Sequence, residues 1–216
     1  MATYNSGSQL EDVFASLDAQ SLDPGEFEIV AVDDGSTDDT FALLQRLASE
    51  RTNVIVSRIP NSGWPGRPRN VGVSLASGEY VLFMDHDDYV FPEALERMHD
   101  FAVAHDLDVV LAKEVVSGYK APAHTTWIAG VPRVGALTPR VLELLTPHKL
   151  YRRSFVEEKE IAFPEGRIRL EDYDYNAQVY SQTRAIGILA DYPCYRWNVH
   201  GGSSHRASFD REVYWR

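Results

Sequence analysis

The sequence predicts an α/β domain: a mostly parallel sheet flanked by helices. Short apolar runs rich in β-branched residues alternate with stretches of helical periodicity. The two densest acidic turns each stand just after such a run, which puts them on one rim of a parallel sheet, where ligands bind in this architecture. A length of 216 residues fits one domain, or one domain with a small extension. We find no internal repeat, low-complexity stretch or linker.

In chain order, Leu10, Val13, Phe14 and Leu17 fall at i, i+3, i+4, i+7 and predict an amphipathic helix over 8–20. FEIVAV at 27–32 predicts a buried strand ending in the turn Asp33-Asp34-Gly35-Ser36. Ser36 with Asp39 three residues on has the form of a capping box for a helix over about 37–49. A strand at 54–57 leads to a Gly/Pro-rich loop at 60–68, then a helix through Val71 and Leu75 with Pro68 in its first turn. EYVLFM at 79–84 predicts a strand, Pro92 starts a helix through Leu95, Met98 and Phe101, and 108–112 is the last clear strand of this half. Residues 114–165 read as irregular, with a short helix near 138–145. A helix is expected from Glu171 to about Gln182, then short strands at 185–190 and 192–197 and a loop in the tail. Only MATY precedes Asn5-Ser6-Gly7, so the expected fold lacks its usual first strand, and the sheet beside FEIVAV should have a gap or a substitute strand.

Composition narrows the function. Hydrophobic residues make up 44% of the chain, enough for a core. The formal net charge of −11 disfavours a sequence-independent nucleic-acid binder. The single cysteine, Cys194, excludes an internal disulfide framework and a cysteine-rich zinc site. No run is apolar and long enough for a membrane-spanning helix, and the N-terminus lacks the basic-then-apolar form of a secretory signal. Arg67, Arg69, Lys149, Arg152, Arg153, Arg167 and Arg169 come from three short stretches. Taken singly they are ordinary surface charge; brought together they can hold a phosphate-bearing ligand.

Each chemistry-bearing motif has two readings. Asp85-His86-Asp87 is a carboxylate pair at a strand end, suited to a hard divalent ion with phosphate oxygens completing its shell, and equally a polar turn. Asp34 can accept from a base N–H or a ribose hydroxyl, or simply cap a turn. Gly63 to Asn70 joins a flexible loop to a helix N-terminus carrying arginines, a phosphate-binding combination or a solvated loop. Glu171-Asp172 suits a helix dipole and equally a general base. His200, His205 and Ser203-Ser204 are ligands, donors or plain tail.

Taken in order, TYNSGSQLEDVFASLDAQS, EIVAVDDGSTDDT, GRPRNVGVSLASGEYVLFMDHDDYVFPEALE and LEDYDYNAQVY resemble family 2 glycosyltransferases of GT-A fold over almost the whole chain. NSGWPGRPRNVG, LTPHKLYRRSFVEEKEIAFPEG and LED are similar to those that attach N-acetylglucosamine to the poly(ribitol phosphate) of wall teichoic acid. The resemblance implies an inverting, metal-dependent transferase using Mn²⁺ or Mg²⁺. It implies a UDP-sugar donor and a glycan or polyol-phosphate acceptor, with no nucleic-acid partner. It implies a cytoplasmic location, extending to peripheral contact with the inner membrane face, and homo-oligomers formed through regions outside this chain. Donor-binding residues would be Thr3, Tyr4, Asp34, Arg69, Asn70, Asp85 and His86. Metal contacts would be Asp87 and His200, and the catalytic acids Asp172, as base, and Glu171. Residues 1–113 would form the donor-binding half and 114–216 the acceptor and catalytic half, in a domain cut short at both ends. Two other classes stay open on the residues alone: a haloacid-dehalogenase-like phosphatase, disfavoured by Asp88-Tyr89 after the acidic pair, and a catalytically inactive nucleotide-binding module. A dinucleotide dehydrogenase is disfavoured because no G-X-G-X-X-G follows a strand.

Overall fold

The computed structural model describes residues 1–118 and 125–199. Its strands form two sheets. In the first, β1 (Ala2–Thr3), β2 (Ile29–Asp33) and β3 (Val54–Arg58) run parallel in that spatial order. The second contains β4 (Tyr80–Leu82), β5 (Tyr89–Val90), β6 (Val109–Ser117), β7 (Val131–Val134), β8 (Leu150–Arg152) and β9 (Ile186–Asn198). Its spatial order is β4-β8-β6-β9-β5, with β7 also on β9. Here only β6 and β9 are parallel; the other pairings are antiparallel. The mostly parallel expectation therefore holds for the first sheet and gives way to a mixed one in the second. The reason is β8, from the stretch read as irregular, which inserts antiparallel between β4 and β6.

The first-strand position is filled at the rim end only. Ala2 and Thr3 pair with Val32 and Asp33, and Ala2 also bridges in parallel to Asp85, which joins the two sheets. Thr3 O accepts from Asp34 N at 2.8 Å, and Val32 N donates to Met1 O at 2.9 Å. Two residues are thus enough to satisfy the backbone where it borders the acidic turns. The expected gap is confined to the start of β2, where no described strand pairs with Ile29 on that side.

Helices α1 (Gln9–Asp18), α2 (Thr40–Ser49), α3 (Gly66–Leu75), α4 (Ala94–Ala104), α5 (Pro139–Leu142), α6 (Arg153–Glu158) and α7 (Glu171–Gln182) cover the sheets. Leu10, Val13, Phe14 and Leu17 are all buried, as the α1 periodicity requires. The α2 capping box does not form. Both the amide and the hydroxyl of Ser36 donate to the Asp33 carboxylate, closing the turn after β2, so the helix starts later, behind Asp39. The strands expected at 185–190 and 192–197 are one strand, β9, that absorbs Pro193 at an irregular register opposite Lys113. Strand β6 likewise runs on to Ser117 rather than ending at 112.

Alternation along the strands divides the core. Val110 and Ala112 of β6 join Leu10, Phe14, Leu44, Met98 and Met84 on one face. Val109 and Leu111 join Tyr151, Phe163, Tyr175, Val179 and Phe83 on the other. One strand thus holds two cores with a period of two. The second core is aromatic: Phe163 stacks on Tyr175 at 4.1 Å, and Phe83 meets both rings edge-on. It seats α7 and the segment before it.

Gly66 fixes the first turn of α3 against that segment, since a Cβ there would strike the carbonyl oxygen of Pro164, a backbone atom with no rotamer to yield. Gly66→Ala should destabilise the fold by about 1–3 kcal/mol, the usual range for overpacking. Urea unfolding measures it, and an unchanged midpoint would contradict this close approach.

Candidate active site

The rim is built from the C-terminal ends of β1 and β2 and the turn after β4. Thr3 is buried, with its hydroxyl on Val32 O, whereas Tyr4 is 46% exposed at the strand exit. Asp34 orders the loop that follows β3: its two carboxylate oxygens accept from Ser62 N at 2.8 Å and Gly63 N at 3.3 Å, and Asn61 Nδ2 donates to its carbonyl at 2.7 Å. Gly35, at φ +70°, makes the turn; a Cβ there would lie 2.7 Å from Asn61 N.

Arg69 stands at the centre. It leaves the first turn of α3, is buried, and lies with its guanidinium carbon 5.0 Å from the centre of the Phe163 ring. Nη2 bonds Asp85 Oδ1 at 2.9 Å; Nη1 bonds Asp172 Oδ1 at 2.7 Å and Glu171 Oε1 at 3.3 Å. One guanidinium thus ties the turn after β4 to the start of α7. These three carboxylates in turn hold its pKa above the usual arginine value despite burial.

The two acids of α7 are placed differently. Glu171 is buried, and both its oxygens are engaged, since Trp64 Nε1 donates to Oε2 at 2.9 Å. Asp172 keeps a 27% exposed side chain, and its Oδ2 accepts no hydrogen bond from any described residue. Burial raises the pKa of both, with the Asp172 charge adding to the effect on Glu171 and Arg69 opposing it at both. Leu170 adopts φ +62° ahead of the helix, and Tyr173 N and Asp174 N bond its carbonyl. This turn leaves Asp172 in the first turn of α7, facing the open side.

A second polar cluster lies behind Asp85. His148 Nδ1 is 3.0 Å from Glu114 Oε2, and Nε2 is 3.5 Å from Asp85 Oδ2 and 3.6 Å from Asp88 Oδ2. The ring stacks on Tyr195 at 4.1 Å. Tyr195 Oη donates to Asp88 Oδ2 at 2.6 Å, and Asp85 N donates to Tyr195 Oη at 3.2 Å. Burial disfavours the imidazolium, but its hydrogen bonds to Asp85 and Glu114 outweigh it and raise His148 to about 10. Asp85, despite burial, is held well below the carboxylate range by Arg69 and then His148, while burial lifts Asp88 to about 7. Burial also lowers Lys149 to about 8.

The remaining expected residues fall as follows. Asn70 spends its amide on the backbone of Phe163, at 2.9 Å in both directions, and so holds the α7 lead-in segment beside Arg69. His86 and Asp87 are half-buried in the turn; the Asp87 carbonyl accepts from Asn198 Nδ2 at 2.7 Å. His200, with His205 and the serines of the tail, lies outside the described residues. The described grouping whose atoms converge enough for a cation is Asp85, Asp88 and His148, rather than Asp87. Its charge is already balanced from within by His148 and Arg69. Sequence reasoning missed His148, Glu114, Tyr195 and the indole of Trp64. Their partners are far off in the chain, and only the HKLYRR and GWPGR segments hinted at them.

The sequence model described as "Glycosyl transferase family 2" matches residues 1–158. The chain belongs to glycosyltransferase family 2. The chain is 36% identical over 195 residues to the poly(ribitol-phosphate) beta-N-acetylglucosaminyltransferase TarS of Staphylococcus aureus, covering 89% of this chain and 34% of TarS. It is 34% identical over 194 residues to the poly(ribitol-phosphate) beta-glucosyltransferase of Bacillus spizizenii, covering 89% of this chain and 30% of that one. The chain thus spans about a third of the length of these curated relatives. Among solved structures, a Staphylococcus aureus TarS fragment in complex with UDP-GlcNAc superposes with a TM-score of 0.90 at 34% identity, over 97% of this chain and 60% of that one. A mannosyltransferase from Pyrobaculum calidifontis shares the fold at a TM-score of 0.62 and 16% identity, over 88% of this chain and 55% of that one.

Removing the guanidinium from this centre leaves three neighbouring carboxylates without their shared cation. Arg69→Met should cost about 3–5 kcal/mol at pH 8, as for other broken buried pairs. Asp85 then loses the charge that holds its pKa down, and the pKa values of Glu171 and Asp172, already raised by burial, rise further. Such groups weaken the fold while ionised and cease to do so as pH falls through the folded value. The deficit relative to the parent protein should therefore shrink between pH 8 and pH 5. Chemical denaturation at both pH values checks this, and a deficit that grows on acidification would contradict it.

Proposed function

We propose that this chain transfers N-acetylglucosamine, with inversion, from UDP-GlcNAc to a hydroxyl of a polyol-phosphate polymer or related cell-envelope glycan. The observation carrying this reading is Asp172: a partly exposed carboxylate with one oxygen fixed by Arg69 and the other open, on a chain similar to a TarS structure that holds UDP-GlcNAc. Residues 1–113 form the donor-binding half and residues 114–216 the acceptor and catalytic half. The transferase works in the cytoplasm and at the inner face of the membrane; no described helix is long and apolar enough to cross it.

In the proposed reaction Asp172 Oδ2 takes the proton of the acceptor hydroxyl while that oxygen attacks the anomeric carbon and the bond to the diphosphate breaks. UDP leaves, and no sugar–enzyme bond forms. A carboxyl raised by burial is a better base than an ordinary aspartate. Arg69 keeps it ionised and aimed. Glu171, with both oxygens engaged, positions Arg69 and Trp64 rather than moving a proton. In this reading Thr3, Tyr4 and Asp34 take the uracil and ribose, and Asp85 and His86 take the donor beyond them. Of the acidic turn, Asp85 and Asp88 are met by Arg69 and His148. Asp87 and His200 are the residues assigned to hold Mn²⁺ or Mg²⁺. When bound, such an ion supplies charge to the departing diphosphate.

Asp172→Asn should keep UDP affinity while transfer falls roughly 10²–10⁴-fold, the range for losing a general base. Asn is nearly isosteric, and its side-chain oxygen can still accept from Arg69 Nη1, so the fold is spared. Transfer from UDP-GlcNAc and UDP-glucose onto poly(ribitol phosphate), measured with UDP affinity on the same variant, decides it. Near-normal transfer by the variant would contradict the base assignment.

A further inference from the structure

His148 has no role in the proton transfer, yet it is buried and engaged through both ring nitrogens. We infer that His148 is a positioning residue for donor binding: it and Arg69 grip the two oxygens of Asp85 from opposite sides and set the direction in which that carboxylate meets the nucleotide sugar. The inference rests on the donor-site reading above.

The geometry supports this in three ways. Asp85 sits at the isolated bridge to Ala2, just ahead of the turn, and its side chain is 33% exposed, so the backbone alone does not choose its rotamer. The contacts that choose it are Arg69 Nη2 on Oδ1 at 2.9 Å and His148 Nε2 by Oδ2 at 3.5 Å. His148 is itself fixed from the far side. Glu114 receives Nδ1–H at 3.0 Å, and Tyr195 lies parallel to the ring at 4.1 Å. Glu114 reaches the ring because the register of β6 against β9 shifts on both sides of Lys113, just before it. Irregularities of this kind re-aim side chains beside sites. The arrangement runs from the sheet through Glu114, His148 and Asp85 to the rim, as an outer partner orients a ligand-contacting group.

A filler of space would have no preference for one ring nitrogen over the other, whereas a positioning residue needs Nε2. Two substitutions separate these roles. The amide of His148→Gln can occupy the Nε2 position and keep its bond to Asp85. The amide of His148→Asn reaches only the Nδ1 position and keeps Glu114 alone. Both lose the ring and the charge, so their costs to the fold should be similar. Manganese-dependent UDP binding by titration calorimetry, with thermal melting of the nucleotide-free protein, reads the outcome. His148→Asn should weaken UDP binding about tenfold or more, as for the loss of a charge-assisted hydrogen bond. His148→Gln should stay within about threefold of the parent. Equal UDP affinity in the two folded variants would overturn the inference. If the Asn variant does not fold, the Gln variant decides alone: a folded His148→Gln that has lost more than tenfold in affinity overturns it. If the parent protein itself binds no UDP with manganese, the donor-site reading fails and takes the inference with it. If the parent binds and the variants match it, His148 alone is reassigned.

Discussion

One buried guanidinium organises this protein. Arg69 is the shared counter-ion of Asp85, Glu171 and Asp172, which come from segments about 85 residues apart and from both faces of the cleft. Burying three carboxylates without a cation is prohibitive, and burying a cation without carboxylates equally so. The site therefore assembles as a unit or not at all. A forked, planar donor reaches several acceptors at once, which a point charge cannot do. The sheet bridge at Ala2 and Asp85, the close approach of Gly66 to Pro164 and the aromatic stack beneath α7 all converge on it.

Behind this centre the charge is balanced pair by pair. His148 stands among Asp85, Asp88 and Glu114, and Tyr195 and the Asn198 backbone complete Asp88. The acidic turn, which by composition looks like a bare cation trap, is thus largely neutralised by the protein's own side chains. What stays open among the described residues is selective: one oxygen of Asp172 and the exposed ring of Tyr4.

Residues 1–113 were readable because their signals are local. The α1 stripe, the FEIVAV strand and the acidic turns depend on periodicity and caps within a dozen residues. Beyond residue 114, α7 keeps such a local signal and the strands do not. Strand β8 is three residues long and is defined by its neighbours β4 and β6. Strand β9 looked like two strands because its pattern breaks at Asp191, where its ladder to β6 skips from Leu189 to Pro193 and then continues. His148 and Glu114 gained meaning only when the fold brought them, 34 positions apart, to 3.0 Å. Ser36 shows the opposite error: a local pattern suggested a cap, and the side chain served the turn instead.

The central claim is that the shape of the Arg69 fork, and not merely its charge, joins the donor and acceptor sides. Arg69→Lys keeps the net charge and removes the fork. UDP affinity and transfer rate measured on this one variant test the claim most directly. The account predicts that both fall, transfer by about tenfold or more, because a lysine ammonium cannot hold Asp85 and Asp172 together. A folded Arg69→Lys protein with near-parental affinity and transfer would contradict it.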